Sequence, residues 1–134
     1  MLSRGIYLLD TDICIALIKG NTNVREHISG IDPLDCKISE VTRAELLFGA
    51  VKSGKERHFN DVITITTMFE EHRIAPCLRE YAETRWLLES QGKKIDTFDL
   101  LIAATALYND LILVTGNESH FERIPNLKIE NWKK

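Results

Sequence analysis

Cysteine and proline are scarce in this chain, positive charge is not in excess, and no apolar run is long. Three cysteines, Cys14, Cys36 and Cys77, stand among 134 residues. They are odd in number, far apart and set in or beside apolar segments, which suggests neither a disulfide framework nor a zinc site. They read as small buried hydrophobes in a reducing cytosol. Proline occurs three times and glycine seven times, and the chain shows no repeat, no low-complexity segment and no obvious linker. No apolar stretch approaches the ~18 residues of a membrane span, and the chain does not open on a secretory leader pattern. The expected setting is therefore cytoplasmic, with no membrane partner. A formal net charge of −3 supplies no global attraction to nucleic acid, so such a partner would need local basic patches or bound cations.

What the chain does have is a substantial core. With 44% hydrophobic and 28% charged residues, it is expected to form one compact domain over 1–134. Its most telling stretch is Ile6-Tyr7-Leu8-Leu9-Asp10-Thr11-Asp12, an apolar run that passes straight into acids and then into a helical pattern from Ile13. Such a run reads as a buried parallel strand feeding a helix. The same junction of apolar run and polar turn recurs at Thr115.

Taken in order, Ile6 to Leu9 is the first strand and Ile13 to Ile18 begins a helix that stops at Lys19-Gly20-Asn21. Asn23 to Ile28 reads as a short amphipathic helix, and Cys36 to Ser39 as the second strand. From Glu40 the spacing of Ala44, Leu47, Phe48 and Val51 predicts a helix ended by Ser53-Gly54. Over 55–72 the run from Val62 to Thr67 favours strand by propensity. Phe59, Val62, Ile63, Thr66 and Phe69 nevertheless share one helical face, and the length predicts a helix. His72 to Pro76 is expected as a third strand, Leu78 to Gln91 as a helix, Leu100 to Tyr108 as an apolar helix, Leu111 to Val114 as a fourth strand and Lys128 to Glu130 as a fifth. Alternating strands and helices predict an α/β fold, three layers α/β/α around a central parallel sheet of four to five strands.

Four groups could carry chemistry. Asp10 and Asp12 flank Thr11 at a strand-to-helix turn, where helix capping by itself explains one acid. Glu45 completes Thr42-Arg43-Ala44-Glu45, which fits a capping box. A helix that starts near Glu40 instead puts Glu45 in the second turn with its carboxylate free. Asp99 enters an otherwise uncharged helix, where an unpaired carboxylate costs several kcal/mol unless a cation or helix N-terminus offsets it. Asp96, three residues earlier, reads as cap or first-turn acid. Thr115, Asn117, Glu118, His120 and Glu122 follow the fourth strand, with His120 read as a surface or packing histidine. Capping explains each acid singly but not their gathering. In a doubly wound sheet, Asp10, Glu45, Asp99 and the turn after Val114 should face one crevice. An all-oxygen cluster suits Mg²⁺ or Mn²⁺, which activate water and stabilise charge on phosphate oxygens.

The segments Tyr7 to Asp12, Ile38 to Ala50, Asp99 to Ala106 and Val114 to Leu127 resemble, in order, the successive motifs of PIN-domain ribonucleases, above all the toxins of VapBC toxin–antitoxin systems. The resemblance implies a Mg²⁺- or Mn²⁺-dependent endoribonuclease, commonly a homodimer, inhibited by a cognate VapB-type antitoxin. It implies a metal set of Asp10, Asp99 and Glu45, with Thr115 and Asn117 positioning waters or phosphate. Asp12 stands where relatives often carry Asn, and joins Glu118 and Asp96 as a further metal candidate. Relatives usually supply a fourth acid where Asn117 or His120 stands here, leaving that role open among Glu118, Glu122 and Asn117. Arg43, Lys52, Lys55, Lys93 and Lys94 are candidates to hold the RNA backbone, and hydrolysis would leave a 5′-phosphate and a 3′-hydroxyl. The alternative is a catalytically degenerate PIN fold that only binds RNA or protein. Asp10-Thr11-Asp12 also resembles the nucleophile motif of haloacid dehalogenase-like phosphatases, but the chain lacks that scheme's downstream lysine and acidic pair.

Overall fold

A computed structural model describes residues 5–134. Five parallel strands form one sheet in the order β3-β2-β1-β4-β5: β1 Tyr7–Leu9, β2 Cys36–Ser39, β3 Glu70–His72, β4 Ile112–Val114 and β5 Ile129–Glu130. Seven α-helices complete the described chain: α1 Thr11–Ile18, α2 Thr22–Ser29, α3 Glu40–Ser53, α4 Glu56–Met68, α5 Leu78–Ser90, α6 Thr97–Tyr108 and α7 Glu118–Phe121. The chain works outward from β1 through β2 to β3, then returns to the other side of β1 with β4. That reversal puts a topological switch between β1 and β4, where an open parallel sheet leaves a crevice beyond its strand ends.

The layers follow from side-chain alternation along the short strands. Leu9, Ile38 and Val114 turn to one face and pack with Ile13, Leu46 and Val62 from α1, α3 and α4. Leu8 and Leu113 turn to the other and pack with Leu88, Ile102, Ala103 and Ala106 from α5 and α6. Each face is thus covered by helices, as the continuous apolar runs of the strands require. The expected three-layer α/β/α architecture is what forms.

The α4 region settles as a helix because Val62, Ile65 and Phe69 are all buried on one side, so packing overrides the β-propensity of its threonines and isoleucines. The third strand lies earlier than expected. It is Glu70–His72, registered against Lys37–Ser39, and 75–77 is instead a 3-10 turn around Pro76. Half-exposed polar residues form this edge strand, where only one neighbour is needed and a polar composition is tolerated. The apolar helix α6 starts at Thr97, because Asp96 caps it by accepting from the Phe98 amide at 3.1 Å.

Candidate active site

Asp10 is the first residue past β1. Its amide donates to the Val114 carbonyl at 2.9 Å, extending the β1–β4 ladder to the edge of the switch crevice. Its side chain caps α1: Oδ1 accepts from the Thr11 amide at 2.8 Å. Oδ2 accepts from the hydroxyl of Thr115, the first residue past β4, at 2.8 Å. Thr115 Oγ1 in turn accepts from the Asn117 amide at 3.0 Å. Capping and site-building are therefore the same act. The hydrogen bonds fix the carboxylate at the meeting point of two strand ends.

Three acids share this spot. Burial, followed by the charges of Asp12 and Asp99, pushes the Asp10 carboxyl up to about 7, against the opposing pull of its bonds from Thr115 and Thr11. Asp99, in the first turn of α6, is also raised, chiefly by burial. Its contact with His120 works the other way, and Asp96 and Asp12 add to the rise. Asp12 Oδ2 accepts from the Gly116 amide at 2.9 Å and lies 3.3 Å from Lys133 Nζ. Its Oδ1 is buried without a hydrogen-bond partner. Leaving an anionic oxygen so placed is costly unless a cation serves it.

Glu45 reaches the cluster through Thr11. The Thr11 hydroxyl donates to Glu45 Oε1 at 2.7 Å and lies 3.0 Å from Thr42 Oγ1. The helix carrying Glu45 is capped by Ser39, whose Oγ accepts from the Val41 amide, so Glu45 is not spent on a capping box. Its carboxylate stands one hydrogen bond from the residue that caps onto Asp10.

The orphaned Asp12 oxygen and the raised Asp10 both fit a hard divalent cation. Among the described residues, no three Asp, Glu, His or Cys side chains close around a point tightly enough to enclose an ion by themselves. An open set of carboxylates is what Mg²⁺ uses, since it keeps several waters and takes few protein ligands. The donor set is all oxygen, which disfavours zinc.

Residues 7–127 match the PIN domain family. The chain belongs to that family. Over 135 residues it is 37% identical to Ribonuclease VapC2 of Rickettsia felis, covering 96% of this chain and 99% of the relative. It is 35% identical to the tRNA(fMet)-specific endonuclease VapC of Shigella flexneri, covering 94% and 97%. In three dimensions it resembles VapBC2 of Rickettsia felis bound to a promoter DNA fragment, with a TM-score of 0.88 and 36% identity over 95% of this chain and 98% of the other. DNA-bound VapBC from Salmonella typhimurium gives a TM-score of 0.89 at 31% identity, covering 96% and 99%.

Within this PIN domain the residues singled out from sequence take different places. Asp10 accepts directly from Thr115 and lies near enough to Asp12 and Asp99 for their charges to raise it, and Glu45 is linked to the neighbouring Thr11. Asn117 is exposed and enters the site with its backbone amide. Asp96 serves as the cap of α6, and Glu118 pairs with Lys134 at 2.9 Å. Of the basic residues proposed for RNA, Arg43 is held in a two-point ion pair by Glu71. His120 is indeed exposed, yet its Nδ1 lies 3.5 Å from Asp99 Oδ2, so it borders the site. Sequence reasoning missed Lys133 and the Gly116 amide on Asp12 entirely. Gly116 carried a signal: a glycine directly after the polar strand end marks a close approach of backbone to something.

Proposed function

We propose that this PIN domain is a divalent-metal-dependent endoribonuclease that acts as the toxin of a type II toxin–antitoxin pair, with Mg²⁺ or Mn²⁺ as its ion. The observation that supports the reading is Asp10 held against Thr115 at the β1–β4 switch, under the charges of Asp12 and Asp99, with one buried oxygen of Asp12 unserved. Asp10 and Asp99 would hold the ion, with Asp12 Oδ1 as a further donor. When bound, the ion supplies a water of lowered pKa and neutralises charge building on phosphate oxygens. The protein's own share is orientation. Thr11 and Thr115 fix both oxygens of Asp10, and the Thr11 hydroxyl holds Glu45, which in this reading would orient the attacking water and take its proton. In hydrolysis the water oxygen joins phosphorus while the bond to the 3′-oxygen breaks, leaving a 5′-phosphate and a 3′-hydroxyl.

Surface chemistry supports partners. Helix α3 leaves Leu47, Phe48 and Val51 exposed, the last two by more than 60%, and Leu47 lines a groove together with the half-exposed Phe98. Large apolar side chains gathered on one surface mark protein contacts. A VapB-type antitoxin and a second copy of the chain are the partners the reading assigns. No helix among the described residues is long and apolar enough to cross a membrane, and the proposed place of action is the cytoplasm.

The test is RNA cleavage by the purified protein with Mg²⁺ or Mn²⁺, using total RNA and initiator tRNA, which the name of the Shigella flexneri relative makes the first defined substrate to try. Cleavage that stops on chelation and in Asp99→Asn, with the fold retained by circular dichroism, is the expected result. Cleavage by Asp99→Asn at the wild-type rate would remove Asp99 from the mechanism.

A further inference from the structure

We propose that Lys133 is a tethered counter-cation of the acidic site, an ammonium group that competes with the divalent ion for Asp12 and so weakens metal loading. The inference rests on the reading that Asp10, Asp12 and Asp99 bind such an ion. Lys133 Nζ lies 3.3 Å from Asp12 Oδ2, the oxygen that also accepts from the Gly116 amide at 2.9 Å.

The approach is built rather than incidental. Strand β5 pairs with β4, so the chain leaves the sheet on the side where β1 and β4 end. Trp132 then anchors it. The indole is fully buried, stacks on the His27 ring at 5.2 Å with 3° between planes, and meets Tyr7 edge-on at 5.0 Å. The next residue is held by its backbone: the Lys133 carbonyl accepts from Asn23 Nδ2 at 2.9 Å, and its amide donates to Asn131 Oδ1 at 2.9 Å. Gly116 independently shows that space is kept for the lysine stem. A Cβ there would stand 2.6 Å from Asp12 Oδ2, 3.0 Å from Lys133 Cδ and 3.2 Å from its Nζ. A side chain here would force the carboxylate or the lysine to shift, so glycine lets strand end, carboxylate and lysine meet as they do.

The pairing serves one oxygen of Asp12 and leaves Oδ1 with no partner. The ammonium thus offsets part of the acidic charge while the position open to an ion is retained. Its backbone is tied, its side chain is 38% exposed, and the four-carbon stem lets the charge swing aside without unfolding anything. A unit positive charge this close to a ligand repels a dication about twice as strongly as it would a monovalent ion. With solvent screening, its removal is expected to tighten metal binding roughly tenfold.

Calorimetric titration of the full chain with Mn²⁺, without RNA and at low ionic strength, tests this. Lys133→Met and Lys133→Gln are each expected to bind Mn²⁺ about tenfold more tightly than wild type. Lys133→Arg should stay near wild type, and Lys128→Met, which removes a lysine paired with Asp110 at the far end of the sheet, should change nothing. A second readout is thermal unfolding: metal-free Lys133→Met should melt below wild type and gain more from Mn²⁺. Unchanged or weakened binding in Lys133→Met, with Asp10→Asn abolishing binding in the same series, would overturn the counter-cation role and leave the metal site standing. Failure of the wild-type chain to bind Mn²⁺ would overturn both.

Discussion

Replacing Asp10 by Asn should make the metal-free protein more stable at pH 8 than at pH 5 relative to wild type. The reason is the Asp10 carboxyl, raised to about 7 by burial and by Asp12 and Asp99. A carboxyl whose folded pKa lies above its unfolded value contributes stability that is whole below about pH 4 and is lost as pH rises through about 7. Between pH 5 and pH 8, ionisation of this one group is expected to cost wild type about 2–3 kcal/mol more than it costs the variant. The substitution keeps the acceptor for the Thr11 amide but loses the second acceptor, whose donor is Thr115, at about 1 kcal/mol at either pH. Urea unfolding in chelator at both pH values, followed by circular dichroism, gives the difference directly. Asp10→Asn should be near neutral at pH 5 and stabilising at pH 8, and added Mn²⁺ should reverse the order by stabilising wild type alone. A stability difference independent of pH would refute the claim that burial, with Asp12 and Asp99 nearby, raises Asp10.

Other perturbations probe the supports of the site. Thr11→Val removes the hydroxyl that holds Glu45 at 2.7 Å; stability should fall by about 1 kcal/mol while the kcat/KM for RNA cleavage falls roughly tenfold, as loss of a positioning contact predicts. Gly116→Ala sets a methyl against both Asp12 Oδ2 and the Lys133 stem, so the pair must shift, and chemical unfolding of the metal-free variant should show a loss of about 1 kcal/mol. Trp132→Ala empties a fully buried site between His27 and Tyr7 and should cost about 3–5 kcal/mol in chemical unfolding. Equal stability would mean that the segment after β5 packs independently of the core.

The scaffold was legible where periodicity and burial coincide. The run Tyr7-Leu8-Leu9 ending in Asp10 could scarcely be other than a central strand, and Leu8 and Leu9 do turn to opposite cores. Strand β3 was not legible, because Glu70-Glu71-His72 has neither alternation nor apolar character and pairs only at an edge. In the site, Asp10 and Asp99 stood out as candidates because one follows a strand end and the other lies in the first turn of a helix, whereas Glu45, in the second turn of α3, is tied in only through Thr11. The lysine on Asp12 could not, since a salt bridge between residues 121 positions apart leaves no trace in local pattern. His120 was read as a surface or packing histidine. Its exposure is ordinary, while its neighbour Asp99 comes from a helix more than 20 residues earlier in the chain.

Where a divalent ion binds decides whether these carboxylates form one metal site. Crystals of the protein soaked in Mn²⁺ and measured at the manganese edge should show an anomalous peak bounded by the carboxylates of Asp10, Asp12 and Asp99, beside Thr115. A peak held by other residues, or three carboxylates turned away from one another with none between them, would contradict it.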